Sequence, residues 1–112
     1  MTAQIRDEQV YNNSTVNVGT NNGPTLTNDG RAVWSLVVRQ GGGGTLTFAI
    51  QVSMDGANWI QAGPALSAVS GSQRVVYAVG STQGPLVEPF IRTQAVVATS
   101  NATGVFADLV GI

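Results

Sequence analysis

Alternation of apolar and polar residues with a period of two is the feature of this sequence that most limits its possible folds. From residue 45 to residue 53 every second side chain is large and apolar, and residues 32–39 (A-V-W-S-L-V-V-R) alternate in the same way. Successive side chains of an extended strand point to opposite faces, so both segments are strands with one buried face. The predicted core contains Trp34, Leu36, Leu46, Phe48, Ile50 and Val52.

The rest of the chain continues this pattern and contains no helical stripe. Residues 73–79, 90–98 and 104–112 also look like strands, and no window of ten residues has apolar positions at helical spacing without Gly or Pro. Short strands with turn signals about every ten residues are typical of sandwiches and barrels. We therefore predict an all-β fold, either an antiparallel β-sandwich or a jelly-roll-like barrel, in a single domain.

Glycine and small polar residues separate the predicted strands. The tract Gly41, Gly42, Gly43 and Gly44 lies between two of them and predicts a hairpin loop. Residues 100–103 (S-N-A-T) predict the turn of a C-terminal hairpin, and Asp29-Gly30 predicts a turn before the strand of Trp34. A phosphate-binding loop at the glycine tract would need a helix after it, and T-L-T-F-A-I is a strand.

The stretch S-M-D-G-A-N-W combines an Asp-Gly turn with one of the two tryptophans. Asp55 and Gly56 predict a hairpin turn, after which Trp59 would cover the end of the core. In the alternative interpretation Trp59 is a stacking platform for a sugar, and Asp55, Asn58 and Gln61 are its polar partners. A calcium loop needs several closely spaced carboxylates, and this turn has one, so we predict no metal site.

The first 30 residues differ from the remainder in being rich in Asn, Thr and Gly and poor in apolar residues. We predict a polar leader or arm over residues 1–30, with at best one short strand near residues 15–18, and a β-sandwich domain over residues 31–112. The N-terminal part is either loosely held or ordered on a neighbouring subunit.

The sequence has no histidine, cysteine or lysine, and this excludes most catalytic groups. Thiol nucleophiles, Ser-His triads and Schiff bases are impossible, and the six carboxylates are scattered. We predict no enzyme activity and no cofactor. The arginines Arg39, Arg74 and Arg92 lie in predicted strands, where Arg92 is expected to pair with Asp55 or Asp108.

Charge and hydropathy also limit the partners. Net charge is −1 and no basic run occurs, so nucleic acid is not an expected partner. No apolar run reaches the length of a membrane span, and the first 15 residues do not resemble a signal peptide, so we expect no membrane partner and synthesis in a cytosol.

Two quoted segments carry a resemblance to a known group of proteins. The resemblance lies in the segment F-A-I-Q-V-S-M-D-G-A-N-W-I-Q, in a following strand with Arg74 and Tyr77, and in P-F-I-R-T-Q-A-V-V-A. In these segments the chain resembles small β-sandwich proteins of tailed bacteriophage particles. The similarity covers residues 45–112. It implies a virion structural protein without catalytic residues, such as a capsid decoration or cement protein.

Two functional hypotheses follow from these observations. In the first, the chain is a virion protein that binds the major capsid protein or another virion protein as a homo-oligomer, for which we guess a trimer. In the second, it is a glycan-binding module of a phage fibre or tail that uses Trp59.

Overall fold

Three long segments of chain run side by side and form the frame of the fold. The computed structural model describes residues 5–68, 73–80 and 84–112, and in these ranges the chain is all β, with no helix. Its strands are β1 (Arg6–Val16), β2 (Gly19–Asn22), β3 (Leu26–Thr27), β4 (Trp34–Gln40), β5 (Gly42–Ser53), β6 (Ile60–Ala68), β7 (Gln73–Val79) and β8 (Phe90–Gly111). Strand β8 lies in the middle, with β1, β2 and β3 along one side and β4 and β5 along the other, all antiparallel to it.

The long segments each bend once, and the bend folds the sheet into two layers. In the first layer β7, β4 and the second half of β8 are followed by β1. In the second layer β6, β5 and the first half of β8 are followed by β2 and β3. The outer strands β6 and β7 contact each other, so the antiparallel sheet is barrel-like and nearly closed.

The glycine tract lies at this bend and not in a hairpin loop. Strands β4 and β5 follow each other with only Gly41 between them, and both pair with β8 in one direction. The register pairs Gly43 with Ala102 and Thr45 with Ala98, so β5 advances two residues while β8 advances four. The predicted hairpin loop was therefore wrong. A bulge of this kind increases the local bend and twist of a sheet, which is how the chain changes layer here.

The predicted C-terminal hairpin was wrong for the same reason. Residues 100–103 lie inside the single strand β8, in its bulged part, where Thr99 has a φ of 75° and Gly104 a φ of 60°. Positive φ values and small polar residues are typical of turns and of bulges alike. Local sequence therefore could not tell a reversal of the chain from a bend within one strand.

The close approach of the backbones at the bend explains the need for glycine. A Cβ atom built on Gly44 would overlap the carbonyl oxygen of Ser100, and one on Gly43 would overlap that of Asn101. Gly43 also has a φ of 92°. The buried side chain of Gln40 closes the bend, because its Nε2 atom donates to the carbonyl oxygens of Gly42 (2.9 Å) and Gly44 (2.6 Å).

The core lies between the two layers and has the composition that the alternation predicts. All six predicted core residues are buried, and Trp34, Leu36, Leu46 and Phe48 have no exposed surface. They are joined by apolar side chains from β8, namely Ile91, Ala95, Val97, Ala102, Val105, Ala107 and Leu109. The Tyr11 ring of β1 meets the Phe48 ring of β5 edge-on at 5.9 Å between centroids, so one aromatic contact joins the two layers.

The polar N-terminal segment is hydrogen-bonded to its own chain over most of its length. Residues 6–27 form three strands along β8 rather than the one short strand expected, and Val16 is in the core. Arg6 ties the start of β1 to the turn after β3 through Asp29, with 2.6 Å between Nη1 and Oδ2. Strand pairing uses backbone groups, which polar and apolar residues share. Composition therefore gave no sign of these strands.

We predict that Gly44→Ala destabilises the protein by about 2 kcal/mol or more, since a methyl group there has to displace a carbonyl of β8. Urea unfolding followed by tryptophan fluorescence measures the change. Gly42→Ala is the matched control, because its added methyl group would lie 3.7 Å from the Thr103 hydroxyl and meet no other atom within 4 Å. Equal stability losses at the two positions would contradict the role given to the bend.

Candidate functional site

A turn follows β5 at Asp55 and Gly56, and the side chains of Asp55 and Ser53 hold it. The Asp55 carboxylate accepts hydrogen bonds from the amides of Ala57 (2.9 Å) and Asn58 (2.8 Å), and from the Asn58 side chain (2.7 Å). The Ser53 hydroxyl donates to Asp55 (3.0 Å) and accepts from the Gly56 amide (2.9 Å). Gly56 has the positive φ, 78°, that such a turn requires.

These donors also set the ionisation of Asp55. Hydrogen bonds from the Asn58 and Ala57 amides, and from the Asn58 and Ser53 side chains, lower the pKa of the Asp55 carboxyl well below its usual range. The group is exposed, and it stays ionised at any pH near neutrality. Asp55 and Asn58 thus bond to each other within the turn, and Asp55 has no proton to donate at neutral pH.

Trp59 lies on the outer face of the second layer and does not cover the end of the core. It is half-buried and is not part of the core cluster. The Arg92 guanidinium lies over its ring, with Cζ 4.2 Å from the ring centroid. The predicted core role of Trp59 was wrong, because the turn brings residue 59 back over the outside of the sheet, where Arg92 points away from the core.

Arg92 is held in place by a neutral side chain and an aromatic ring. Its Nε atom donates to Oε1 of Gln51 (2.8 Å), the residue directly opposite it on β5. This replaces the expected ion pair with Asp55 or Asp108. The sequence gave no register between β5 and β8, and without that register the pairing of residues 51 and 92 could not be found.

The outer side chains around this pair form a surface of amides, which we call the amide face: Asn22, Gln51, Trp59, Gln61, Arg92 and Gln94. Gln94 pairs with Asn22 across β8 and β2, and its amide donates to the Asn22 side chain (3.1 Å). Gln61 lies opposite Gln51, and its amide donates to the carbonyl of Gly63 (2.8 Å).

Of the predicted binding residues, Trp59 and Gln61 are therefore on this face, while Asp55 and Asn58 form the turn beside it. As a sugar platform, Trp59 has one ring face already covered by Arg92.

The outer face of the first layer has a different character. Arg39 stacks on Phe106, with Cζ 4.2 Å from the ring centroid. The two residues border a shallow depression of about 270 Å³, together with Val37, Asp108 and Gln9. This face combines apolar side chains with both signs of charge. The side chain of Arg74 lies outside the described residues.

Apolar side chains are exposed together at one end of the sandwich. We define the apolar end as Met54, Ile60 and Val87, whose side chains are 68%, 62% and 75% exposed. Met54 and Ile60 border the same depression as Glu88, and Val87 borders the adjoining one, which Glu88 also lines. Large apolar side chains grouped in this way mark contact surfaces more often than isolated ones do.

The described carboxylates are mostly engaged in structural contacts. Glu88 shares one depression with Asp29 and another with Asp55. Asp29 is bonded to Arg6 and to the Thr27 hydroxyl (3.0 Å), and Asp55 is bonded within its turn. Among the residues that the structure describes, no group of three acidic side chains is arranged to hold a metal ion, and no helix could span a membrane.

Comparisons with known proteins support the fold. The crystal structure of the PBSX exported protein XepA superposes with a TM-score of 0.74 at 13% identity, over 95% of this chain and 36% of XepA. This chain therefore has the fold of about a third of that protein. Two other structures align less well and add nothing to this assignment. The structure of infectious bursal disease virus Gx strain has a TM-score of 0.49 at 12% identity, over 97% of this chain and 32% of that one. The structure of Bacillus endospore appendages has a TM-score of 0.46 at 11% identity, over 96% of this chain and 86% of that one. No family model and no curated protein matches the sequence.

We predict that the turn loosens in acid as Asp55 is protonated. The folded pKa is lowered, so the stabilisation is complete above the unfolded pKa of about 3.9 and is lost as pH falls toward the lower folded value. Resonances of the folded protein follow the folded pKa, so the amide resonances of Ala57 and Asn58 should stay unchanged through about pH 4 and shift only at still lower pH, as the folded carboxyl takes up its proton.

The Asp55→Asn variant should lack this transition, and its turn resonances should resemble those of the acid form at all pH values. Asp7→Asn, which changes an exposed carboxylate on β1, is the control and should leave the transition in place. A transition that persists in Asp55→Asn would show that another group controls the turn.

Proposed function

We propose that this protein is a non-enzymatic structural component of a virus particle, and specifically a decoration or cement protein on the surface of a phage head. The observation that carries the proposal is the apolar end, where three large apolar side chains, each more than half exposed, border two adjoining depressions. Such a surface is costly to leave in water and is suited to binding another protein.

The remaining surface supports a binding role rather than catalysis. The depressions in the described part of the chain are shallow and open, and Asp29 and Asp55 are held by structural hydrogen bonds. The fold shared with part of the PBSX exported protein XepA and the resemblance of residues 45–112 to phage sandwich proteins agree with this function.

The charge around the apolar end indicates what kind of partner it would bind. Glu88 lines both the depression of Met54 and Ile60 and the one that Val87 borders, and Asp55 borders the same depression as Met54. We propose that the partner surface, on the major capsid protein or another virion protein, is apolar and carries Arg or Lys. Binding as a homo-oligomer, for which a trimer is our guess, would multiply weak contacts to a lattice of identical sites.

A first prediction concerns copy number. Particles purified from the source on a density gradient should contain this chain in an amount comparable with the major capsid protein, as measured by quantitative mass spectrometry. A few copies per particle would instead indicate a tail or fibre component. Absence from the particles would overturn the proposed function.

A second prediction concerns the surface of attachment. Combined Met54→Ser, Ile60→Ser and Val87→Ser substitutions should reduce occupancy on particles lacking the native protein about tenfold or more, because each removes apolar contact area. Val18→Ser, Val76→Ser and Val96→Ser together are the matched control, since these valines are also exposed but lie elsewhere. Both variants should unfold near the wild-type temperature. Equal losses of attachment in both would exclude the apolar end as the contact.

A further inference from the structure

Arg92 is the one cation of the amide face, and its position is fixed before any ligand arrives. Gln51 accepts from its Nε atom (2.8 Å), and Trp59 supports the plane of the guanidinium at 4.2 Å. Within the part of the chain that the structure describes, neither of its Nη atoms donates a hydrogen bond to a protein group. Arg92 is only partly exposed. Its guanidinium group lies against the outer surface of the sheet, and its Nη groups can donate hydrogen bonds to a ligand.

From this geometry we propose that Arg92 is the receptor for a carboxylate group of an acidic saccharide that lies on the amide face. A guanidinium presents paired N–H groups that match the two oxygens of a carboxylate, and the charge-assisted bonds are stronger than neutral ones. The stacking on Trp59 and the bond to Gln51 restrict the Arg92 side chain before binding. Less conformational entropy is therefore lost when the ligand binds.

The neighbours of Arg92 favour a sugar over a protein carboxylate. Gln51, Gln94 and Asn22 are uncharged amides, each with donor and acceptor atoms that suit sugar hydroxyl groups. The nearest exposed large apolar residue along β8 is Val96, which is only 40% exposed. A protein partner would be expected to place apolar or aromatic side chains at the centre of its contact, and this face has few to meet them.

A second arginine that stacks at the same distance shows why the site is specific to one face. Arg39 lies over Phe106 at the same distance of 4.2 Å. It shares its depression with the carboxylate of Asp108 and with the apolar side chain of Val37. An anionic sugar would meet a like charge there and few amide groups. Arg39 is therefore a matched internal control for Arg92.

This site is independent of the proposed attachment through the apolar end. Saccharide binding is measured on the purified protein without particles, whereas attachment is measured on particles. Either result can fail without affecting the other.

The experiment titrates the full chain with trigalacturonic acid and with 3′-sialyllactose while the side-chain resonances of Arg92 and Trp59 are recorded by NMR. The methyl ester of trigalacturonic acid and lactose are the neutral counterparts, and sodium acetate tests a carboxylate without a sugar. We expect saturable shifts with at least one acidic saccharide, and at least about tenfold weaker binding of its neutral counterpart and of acetate.

Variants identify the group that binds. Arg92→Gln should weaken binding of the acidic saccharide about tenfold or more, and Arg39→Gln should leave it within about twofold. Arg92→Lys keeps the charge without the planar pair of donors, and it should give an intermediate affinity. Thermal unfolding of each variant shows that it is folded before it is titrated.

Three results would overturn the proposal as a whole, and a fourth would overturn its assignment to a sugar. The first is equal binding of acidic and neutral saccharides, and the second is binding by Arg92→Gln at the wild-type affinity. The third is the absence of any shift with both acidic saccharides up to about 10 mM, beyond which binding is too weak to be a function. Acetate binding as tight as that of the saccharides would overturn the assignment to a sugar.

Discussion

The bend in the central strands is the constraint on which the rest of the structure depends. Strand β8 contributes to both layers, so the strands that pair with it have to pass from one layer to the other at the point where β8 bends. Gly43 and Gly44 let β5 approach the bulge of β8 more closely than any side chain allows, and Gln40 bonds the carbonyls that the bend exposes. The Nε2 atom of Gln40 thus satisfies carbonyls that would each cost about 1–3 kcal/mol if buried and unbonded. Its own Oε1 atom is buried without a hydrogen-bond partner among the described residues, which offsets part of this gain. The core can then fill the space between two halves of the same strands.

The sequence predicted the core better than the connections, and the reason is physical. Burial on one face of a strand imposes alternation, so Leu46, Phe48 and Ile50 could be assigned without a structure. A bend and a hairpin, by contrast, both need glycine and small polar residues, and they differ only in whether the chain reverses direction. That depends on the pairing with β8, where Gly43 lies opposite Ala102, far away in the sequence. The same applies to residues 6–27, whose strands are formed by backbone hydrogen bonds to β8 and leave little trace in composition.

The candidate site was only partly predictable for a related reason. The turn of Asp55 is a local structure, and its residue types specify it in sequence. The position of Trp59 depends on where the chain goes after the turn, and the position of Arg92 depends on the register of β5 with β8. Once that register is known, Gln51 and Arg92 are direct neighbours and the stack on Trp59 follows. Sequence patterns thus specify turns and buried faces, whereas a surface site that combines three strands needs the sheet order.

The turn from Ser53 to Trp59 connects the two proposed surfaces, and its hydrogen bonds matter to both. Met54, at its start, belongs to the apolar end, and Trp59, at its other end, supports Arg92 on the amide face. The hydrogen bonds of Asp55 to Ala57 and Asn58 close the turn between these two residues. Because Asp55 stays ionised at neutral pH, its carboxylate remains able to accept the hydrogen bonds that hold the turn. One carboxylate, that of Asp55, therefore lies in a turn that borders both contact regions. A substitution in this turn can affect both surfaces at once. The two surfaces are best tested by substitutions outside the turn, which change only one of them.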